Sequence, residues 1–328
     1  MKLLLVGDVM LGRTLNEVLQ ERPPAAPWGD TLPLFCQADW RLCNLECVIA
    51  DRGEPWSATP KTFHFRSDAK NVFVLLAAAI NAVSLANNHT LDFGCDAMLE
   101  MLKTLDGAGI QRAGAGADVP EACRPVLANV NDHTVGLLAF TDNQPEWEAT
   151  EWQAGVRYVP IDLGDDRAVA LLQAIRATKG EADFLIVSAH WGPNWGYRPQ
   201  PHHVPFAHAL IDAGADVVFG HSCHVFQGIE IYRGRPILYS TGNFVDDYAV
   251  DPVERNDESC IFLLELQEAS LRCLRLYPTV IRDYQARLAS SHEAEAIRRK
   301  LQGLCEEFQT PTRWHPQQRY LEVCTEPS

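Results

Sequence analysis

Two histidines three residues apart, His221 and His224, are the side chains best suited to chemistry in this sequence. They follow the apolar run 216–219 and Gly220, a pattern typical of a buried strand that ends in a loop. Neutral imidazole is a ligand for zinc, iron and manganese, so the pair could bind a metal ion. The alternative is a pair of structural histidines at the surface or the edge of the core.

Other polar side chains stand in the same position relative to an apolar run, namely Asp8, Glu46, Asn88 and His190. In a chain that alternates strands and helices, such strand ends meet at one edge of the sheet, where α/β proteins usually bind ligands. Six oxygen and nitrogen ligands exceed the need of one tetrahedral ion. They fit two divalent ions roughly 3.5 to 4 Å apart, an arrangement that activates water for hydrolysis. Taken singly, each residue also has a structural reading; Asp8, for example, could cap a helix.

A second polar cluster follows the small-residue strand 82–86. It contains Asn88, His89 and, three residues later, Asp92, which is well placed to orient a histidine. Upstream, the turn-rich segment 53–66 is interleaved with aromatic residues and closes with Arg66. This segment predicts either a flap that faces the substrate or a loop held in place by its aromatic side chains.

The remaining pattern predicts an α/β protein with mixed sheets. Two runs at 126–130 and 134–140 predict an antiparallel hairpin, and runs at 259–266 and 271–280 predict a second antiparallel pair. A charged amphipathic helix follows at 294–308, and the tail after Thr310 reads as irregular. Because the sequence contains no evident linker or repeat, we predict one domain over 1–328, with a motif-bearing core at 1–250 and closing strands and a helix at 251–328.

Composition excludes some classes of function. The 328-residue chain is 47% hydrophobic and 22% charged, and its formal net charge is −15, which disfavours a nucleic-acid or anionic-membrane surface. The ten cysteines include no Cys-x-x-Cys pair, and the short apolar start at Met1 is neither a signal peptide nor a membrane span. We therefore expect a cytoplasmic protein with reduced thiols.

Short motifs follow one another in the order Gly7-Asp8, Asn44-Leu45-Glu46, Asn87-Asn88-His89, His190-Trp191-Gly192, Gly220-His221 through His224, and Gly242-Asn243-Phe244. This order resembles that of the CapA family, the poly-γ-glutamate capsule biosynthesis proteins, over residues 1 to about 250. That family is similar to the calcineurin-like metallophosphoesterases. The resemblance implies a four-layer αββα sandwich with a dinuclear metal site at the strand ends.

The resemblance also implies a role for each site residue. Asp8 and His224 would hold one metal ion; Asn88, His190 and His221 would hold the other, and Glu46 would bridge the two. His89 would be the general acid or would stabilise the transition state, oriented by Asp92. Arg13, Arg66 and Asn243 would contact the substrate. The chain departs from the metallophosphoesterase pattern at the first motif, where Met10 stands in place of a histidine, and at Glu46, where an aspartate is usual.

These features predict a metal-dependent hydrolase that uses one or two divalent ions, Mn, Zn or Fe. Water activated by the ions would attack a phosphoester or a γ-glutamyl-type amide in an anionic small molecule or polymer. The alternative is an accessory or binding protein of polymer synthesis that keeps the fold without turnover. Met10 favours the accessory role, whereas His89 and Asp92 favour the enzyme. A third reading is an unrelated α/β protein in which the polar clusters are helix caps.

Overall fold

The computed structural model describes residues 1–324. The strands are β1 Lys2–Val9, β2 Trp40–Leu45, β3 Val48–Ile49, β4 Arg66–Ser67, β5 Ala82–Ser84, β6 Gln111–Ala113, β7 Ala115–Gly116, β8 Val126–Val130, β9 His133–Thr141, β10 Gly155–Val156, β11 Phe184–His190, β12 Val217–His221, β13 Ile229–Tyr232, β14 Arg235–Leu238, β15 Asn243–Val245, β16 Glu258–Gln267, β17 Ser270–Arg282, β18 Gln285–Leu288, β19 Thr312–His315 and β20 Tyr320–Val323. The α-helices are α1 Arg13–Val18, α2 Leu32–Phe35, α3 Val72–Ala77, α4 Gly94–Gly107, α5 Val119–Ala122, α6 Asp166–Lys179, α7 His203–Ala213 and α8 Ser291–Glu306.

A ten-stranded sheet contains β1 near its centre. Its main order is β19-β20-β17-β16-β1-β2-β5-β6, with β15 added beside β1 and β18 beside β17. Strands β2 and β15 run parallel to β1, and β16 runs antiparallel to it. The register places Asp8 opposite Asn44 of β2 and Asn243 of β15. The carboxyl ends of these parallel strands therefore gather polar side chains at one edge.

A six-stranded sheet has the order β13-β14-β12-β11-β9-β8. Strands β9, β11, β12 and β14 are parallel, while β8 and β13 join as antiparallel edge strands. The hairpin predicted at 126–130 and 134–140 is present as β8 and β9. The register pairs His190 with His221, so the two imidazoles leave neighbouring strand ends.

Three apolar cores define four layers. Alternate residues of β1 point to opposite faces: Leu3 and Leu5 lie in the core between the two sheets, and Leu4 and Val6 lie in the core on the other side. That outer core includes α3 and α4, and a third core packs α6 and α7 against the six-stranded sheet. Because β1 is buried on both faces, its sequence is a continuous apolar run rather than an alternation of apolar and polar residues. The predicted αββα sandwich is confirmed.

The prediction of an irregular tail is wrong for residues 312–323. Strands β19 and β20 form a hairpin there, and β20 pairs with β17 at the edge of the ten-stranded sheet. Leu321 and Val323 are buried in the core between the sheets, so the hairpin is held by contacts distant in sequence. Within 1–324, no helix has the length and apolar character required to cross a membrane.

Candidate metal and catalytic site

Asp8 lies at the centre of the site. Its backbone amide donates to the carbonyl of Gly242 at 3.0 Å, and a Cβ at Gly7 would lie 1.9 Å from that same carbonyl oxygen, so the close approach of β1 to the loop requires glycine. The Oδ1 atom of Asp8 accepts a hydrogen bond from Asn44 Nδ2 at 2.8 Å and lies 3.3 Å from His221 Nδ1. Burial opposes ionisation, but the hydrogen bond with His221 and the charges of His221, His190 and His224 together outweigh it and lower the pKa of Asp8.

Glu46 and His224 converge with Asp8. One carboxylate oxygen of Asp8, one of Glu46 and one ring nitrogen of His224 lie within 4.8 Å of one another. His224 has a left-handed backbone conformation, with φ of 58°, which is uncommon for a non-glycine residue and occurs often at functional sites. Its Nδ1 lies 3.0 Å from Asn243 Oδ1. Donation to this amide oxygen leaves the Nε2 lone pair of His224 available to a metal ion.

The other three predicted ligands surround this group. His190 is buried, and its Nε2 lies 3.9 Å from Glu46 Oε1. His221 lies against Asp8 but also contacts the hydroxyl groups of Ser188 and Thr241, each at 3.2 Å. The sixth, Asn88, has a buried side-chain oxygen at the end of β5. The structure therefore brings five of the six residues close together, and their role as metal ligands stays a prediction.

The donor set suits divalent metal ions. Four predicted ligands each have a buried side-chain atom that lacks a hydrogen-bond partner among the described residues: Asp8 Oδ2, Glu46 Oε1, Asn88 Oδ1 and His190 Nε2. Buried polar atoms without partners are rare and costly, and convergent ones are explained by an ion. Burial, together with the charges of Asp8 and Asp246, raises the pKa of Glu46 well above its ordinary value. A bound cation would supply the positive charge that this carboxylate lacks.

A cluster of three buried, hydrogen-bonded side chains lies beside the proposed metal ligands and consists of His89, Asp92 and Lys61. We call this cluster the buried relay. His89 Nδ1 lies 2.5 Å from Asp92 Oδ2, and the imidazole stacks on Phe65 with ring centroids 4.0 Å apart. Lys61 Nζ lies 3.2 Å from Asp92 Oδ1 and donates to the backbone carbonyl of Asn88 at 2.6 Å. Burial raises the pKa of Asp92 to about 7, and burial with the Lys61 charge lowers the pKa of His89 well below its usual range. The hydrogen bond to Asp92 leaves His89 Nε2 free.

A cavity of about 300 Å³ opens onto His89 and His224. Its aromatic walls include Phe63 and Trp195, which are 57% and 46% exposed. Arg13 also lines this cavity and lies 3.4 Å from a carboxylate oxygen of Asp247. A substrate that reaches the two histidines would therefore pass between aromatic rings and one arginine.

Two predicted substrate contacts, Arg66 and Asn243, have partners within the protein, and their contact with substrate stays a prediction. Arg66 is not among the residues that line this cavity; its guanidinium donates to the carbonyl of Gly53 at 3.0 Å and lies 4.5 Å from the ring centroid of Phe93. Asn243 is buried against His224, where it orients the imidazole. The structure thus engages Arg66 in holding the loop 53–66 and Asn243 in positioning a ligand.

Sequence reasoning missed three residues of the site. Lys61 lies in the segment 53–66, where a single lysine among aromatic residues was the available signal. Asn44 stands two residues before Glu46, and its amide bonds Asp8. Tyr248 lines the cavity, and its hydroxyl lies 3.4 Å from Glu46 Oε2. No pattern in the sequence distinguishes this tyrosine from others.

Known proteins share the sequence and the fold. The chain is 36% identical to a probable polyglutamine synthesis accessory protein of Mycobacterium tuberculosis, over 93% of this chain and 91% of that protein. It is 28% identical to the capsule biosynthesis protein CapA of Bacillus anthracis, over 85% of this chain and 67% of that one. A hypothetical protein from Thermus thermophilus has a similar fold, with a TM-score of 0.51 and 15% identity over 85% of this chain and 98% of its own.

The family comparison covers the strands and loops that form the site. The profile of the bacterial capsule synthesis protein family PGA_cap matches residues 2–248, from the first residue of β1 to Tyr248 beside Glu46. The family expected from the order of the motifs is therefore confirmed. This chain belongs to the bacterial capsule synthesis protein (PGA_cap, CapA-type) family.

Proposed function

We propose that this protein is a metal-dependent hydrolase of poly-γ-glutamate or capsule metabolism. The observation that carries the proposal is the convergence of unpartnered ligand atoms on Asp8, Glu46 and His190 directly beside the His89–Asp92 pair. A purely structural cluster has no need for a histidine whose Nδ1 is fixed by a carboxylate and whose ring lines an open cavity.

When bound, one or two divalent ions (Mn, Zn or Fe) would lower the pKa of water and neutralise charge that develops in the transition state. Asp8, Glu46 and His224 would hold one ion, with Glu46 shared, and Asn88, His190 and His221 would hold the second. Asn243 fixes His224 through Nδ1, and Asp92 fixes His89 in the same way. With Nδ1 donating to Asp92, His89 Nε2 would accept a proton from the attacking water and pass it to the leaving group.

The cavity restricts the substrate. Arg13 is its one cationic lining residue, and Asp247 already shares that charge at 3.4 Å, so the cavity fits one anionic group rather than a run of them. We therefore propose as substrate a small phosphoester or the end of a γ-glutamyl-type chain, with Arg13 at the anionic group. Ten cysteines, none of which forms a disulfide within 1–324, support a reducing compartment such as the cytoplasm.

The test is the His89→Asn variant, assayed on phosphoesters and on γ-glutamyl amides after loading with Mn²⁺, Zn²⁺ or Fe²⁺. We expect turnover to fall by about 10²- to 10⁴-fold, the typical contribution of a general acid, while the bound metal per chain stays the same. His292→Asn, at an exposed position in α8, is the matched control and should behave as wild type. Unchanged turnover in His89→Asn would contradict the role given to His89.

A second candidate is an accessory protein that binds a polymer without cleaving it. The observation in its favour is Met10, which is buried where metallophosphoesterases have a histidine and whose sulfur accepts a hydrogen bond from the Gly12 amide at 3.1 Å. The relative from Mycobacterium tuberculosis carries the name of an accessory protein. Metal binding and polymer binding without turnover of any phosphoester or amide would favour this candidate.

A further inference from the structure

Arg157 is a buried cation without a matching anion among residues 1–324. It lies next to β10, where its amide donates to Gly114 O at 2.8 Å and its carbonyl accepts from Thr141 N at 3.0 Å, so its backbone is fixed. The residue is only 6% exposed. Its guanidinium makes one long hydrogen bond, from Nη1 to Cys123 O at 3.5 Å, and forms no ion pair within 4.0 Å anywhere in residues 1–324.

Such an arrangement is unfavourable for a guanidinium. Arginine does not give up its proton in proteins, so burial leaves an unpaired charge with several unused donors. An uncompensated buried charge destabilises a fold strongly unless a counter-ion is supplied. Burial also lowers the pKa of Arg157, in keeping with the missing anion. The charge therefore calls for an anionic partner from outside residues 1–324.

Arg157 lines a cavity of about 140 Å³ beside α5 and the first turn of α6. The other charges on its walls are already paired: Arg167 lies 3.0 Å from Glu148 and 2.7 Å from Asp165. The rest of the lining is mostly small and aliphatic, with Val119, Ala122, Ala149, Val156, Val159 and Ala170. One water occupies about 30 Å³ of liquid, so the space suits a small molecule with the volume of about four or five waters.

We propose that this cavity is a binding site for a small aliphatic monocarboxylate whose carboxylate pairs with Arg157. A single uncompensated cation matches one negative charge, and guanidinium binds carboxylate through two parallel hydrogen bonds. The aliphatic walls match a short hydrocarbon chain and disfavour a strongly hydrated dianion such as phosphate. The site is separate from the metal and catalytic residues, so the proposal does not depend on the hydrolase.

The test is thermal unfolding of the whole protein in carboxylate-free buffer, with sodium butyrate or propionate titrated against sodium chloride at equal ionic strength. We expect a saturating rise in the unfolding temperature with each carboxylate, about 5 °C at a hundredfold excess over Kd, and little change with chloride or phosphate. Isothermal titration calorimetry should give one site per chain. A response equal to that of chloride would overturn the proposal, and stabilisation by phosphate alone would overturn the carboxylate assignment.

Two variants complete the test. Arg157→Met keeps the length of the side chain without the charge; we expect it to unfold at a higher temperature than wild type in carboxylate-free buffer and to lose the response to butyrate. Arg157→Lys keeps the charge without the planar fork and should bind butyrate at least tenfold more weakly. Cys123→Ser is the control, because it lines the same cavity and should keep the full response. An Arg157→Met variant that folds and is still stabilised by butyrate would contradict the site.

Discussion

The Lys61→Met variant tests the buried relay through the stability of the protein. Lys61 has a side chain only 9% exposed, and its ammonium lies 3.2 Å from Asp92 Oδ1 and 2.6 Å from Asn88 O. Methionine keeps most of the aliphatic stem but removes the charged nitrogen, which lies 5.0 Å from the ring centroid of Trp147. Breaking a buried ion pair costs about 3–5 kcal/mol. Because Asp92 keeps its hydrogen bonds from His89 and Phe65 N, we expect Lys61→Met to lower the free energy of unfolding by less than this, about 2–3 kcal/mol at pH 8.5.

The effect should depend on pH with a definite sign. Burial already raises the pKa of Asp92 to about 7, and loss of Lys61 raises it further. The folded variant then holds a proton that the unfolded chain releases, so its stability falls as pH rises from 6 to 8.5. We expect the unfolding temperature of Lys61→Met to lie about 4–6 °C below wild type at pH 8.5, with a smaller gap at pH 6.

A double-variant cycle isolates the pair. Asp92→Asn removes the charge that Lys61 balances, so Lys61→Met should cost less in the Asp92→Asn background, with a coupling of about 1.5 kcal/mol or more. Lys70→Met is the matched control; Lys70 is exposed and bonds only Gln20 within 1–324, so its loss should change stability by less than about 0.5 kcal/mol. Chemical denaturation at both pH values measures all four variants. A cost for Lys61→Met no larger than that of the control, or strict additivity with Asp92→Asn, would refute the reasoning.

Three further predictions concern single residues. Glu46→Gln should raise the unfolding temperature of metal-free protein by about 2–5 °C, because it removes a buried carboxylate that has no cation beside it. The same variant should be stabilised less by Mn²⁺. Scanning fluorimetry after chelator treatment, with and without added Mn²⁺, checks both results. His203 stacks on Trp191, and burial lowers the pKa of His203 to about 4, so below pH 6.5 the unfolded chain binds a proton that the folded chain excludes. The free energy of unfolding of the wild type should therefore fall by up to about 3 kcal/mol between pH 6.5 and 4. Denaturant titrations should show a clearly smaller fall for His203→Phe. Asn243→Ala should weaken divalent metal affinity about 10- to 100-fold by releasing His224, and equal affinity in a metal titration would refute that role.

The positions of several proposed metal ligands could be predicted from the sequence because they follow from local pattern. Asp8, His190 and His221 each end an apolar strand, and parallel strands bring their carboxyl ends to one edge. The mixed α/β class follows from the same pattern of strands and helices, whereas the four-layer sandwich was implied by the family resemblance. The division of the chain into a single domain stays a prediction.

Residues that reach the site from loops could not be predicted in the same way. Lys61 meets Asp92 across 31 positions of sequence, and Tyr248 meets Glu46 across 202. Their contacts depend on how the loops fold over the sheet edge, which no periodicity encodes. Arg66 lies in the same loop segment as Lys61, but its guanidinium contacts the carbonyl of Gly53 and the ring of Phe93. The sequence does not show that these contacts form.

The strands after Thr310 illustrate another limit. The segment 312–323 carries Trp314, His315 and Tyr320 among charged residues, a weak strand signal by itself. It becomes a hairpin because the free edge of β17 supplies backbone partners. Pairing at a sheet edge is a tertiary effect, so local sequence underestimates it.

The measurement that tests the central claim most directly is the divalent metal bound per chain, by elemental analysis of protein purified without a metal-affinity tag and reconstituted with Mn²⁺, Zn²⁺ or Fe²⁺. The wild type is compared with the site variant Glu46→Ala/His224→Ala. The control is His208→Ala/Glu230→Ala, which removes a histidine–glutamate pair 2.8 Å apart, between α7 and β13 and away from the proposed metal ligands. We expect about one to two equivalents in the wild type and the control, lost in the site variant. Absence of metal from the reconstituted wild type, or full retention in the site variant, would contradict a metal centre at these residues.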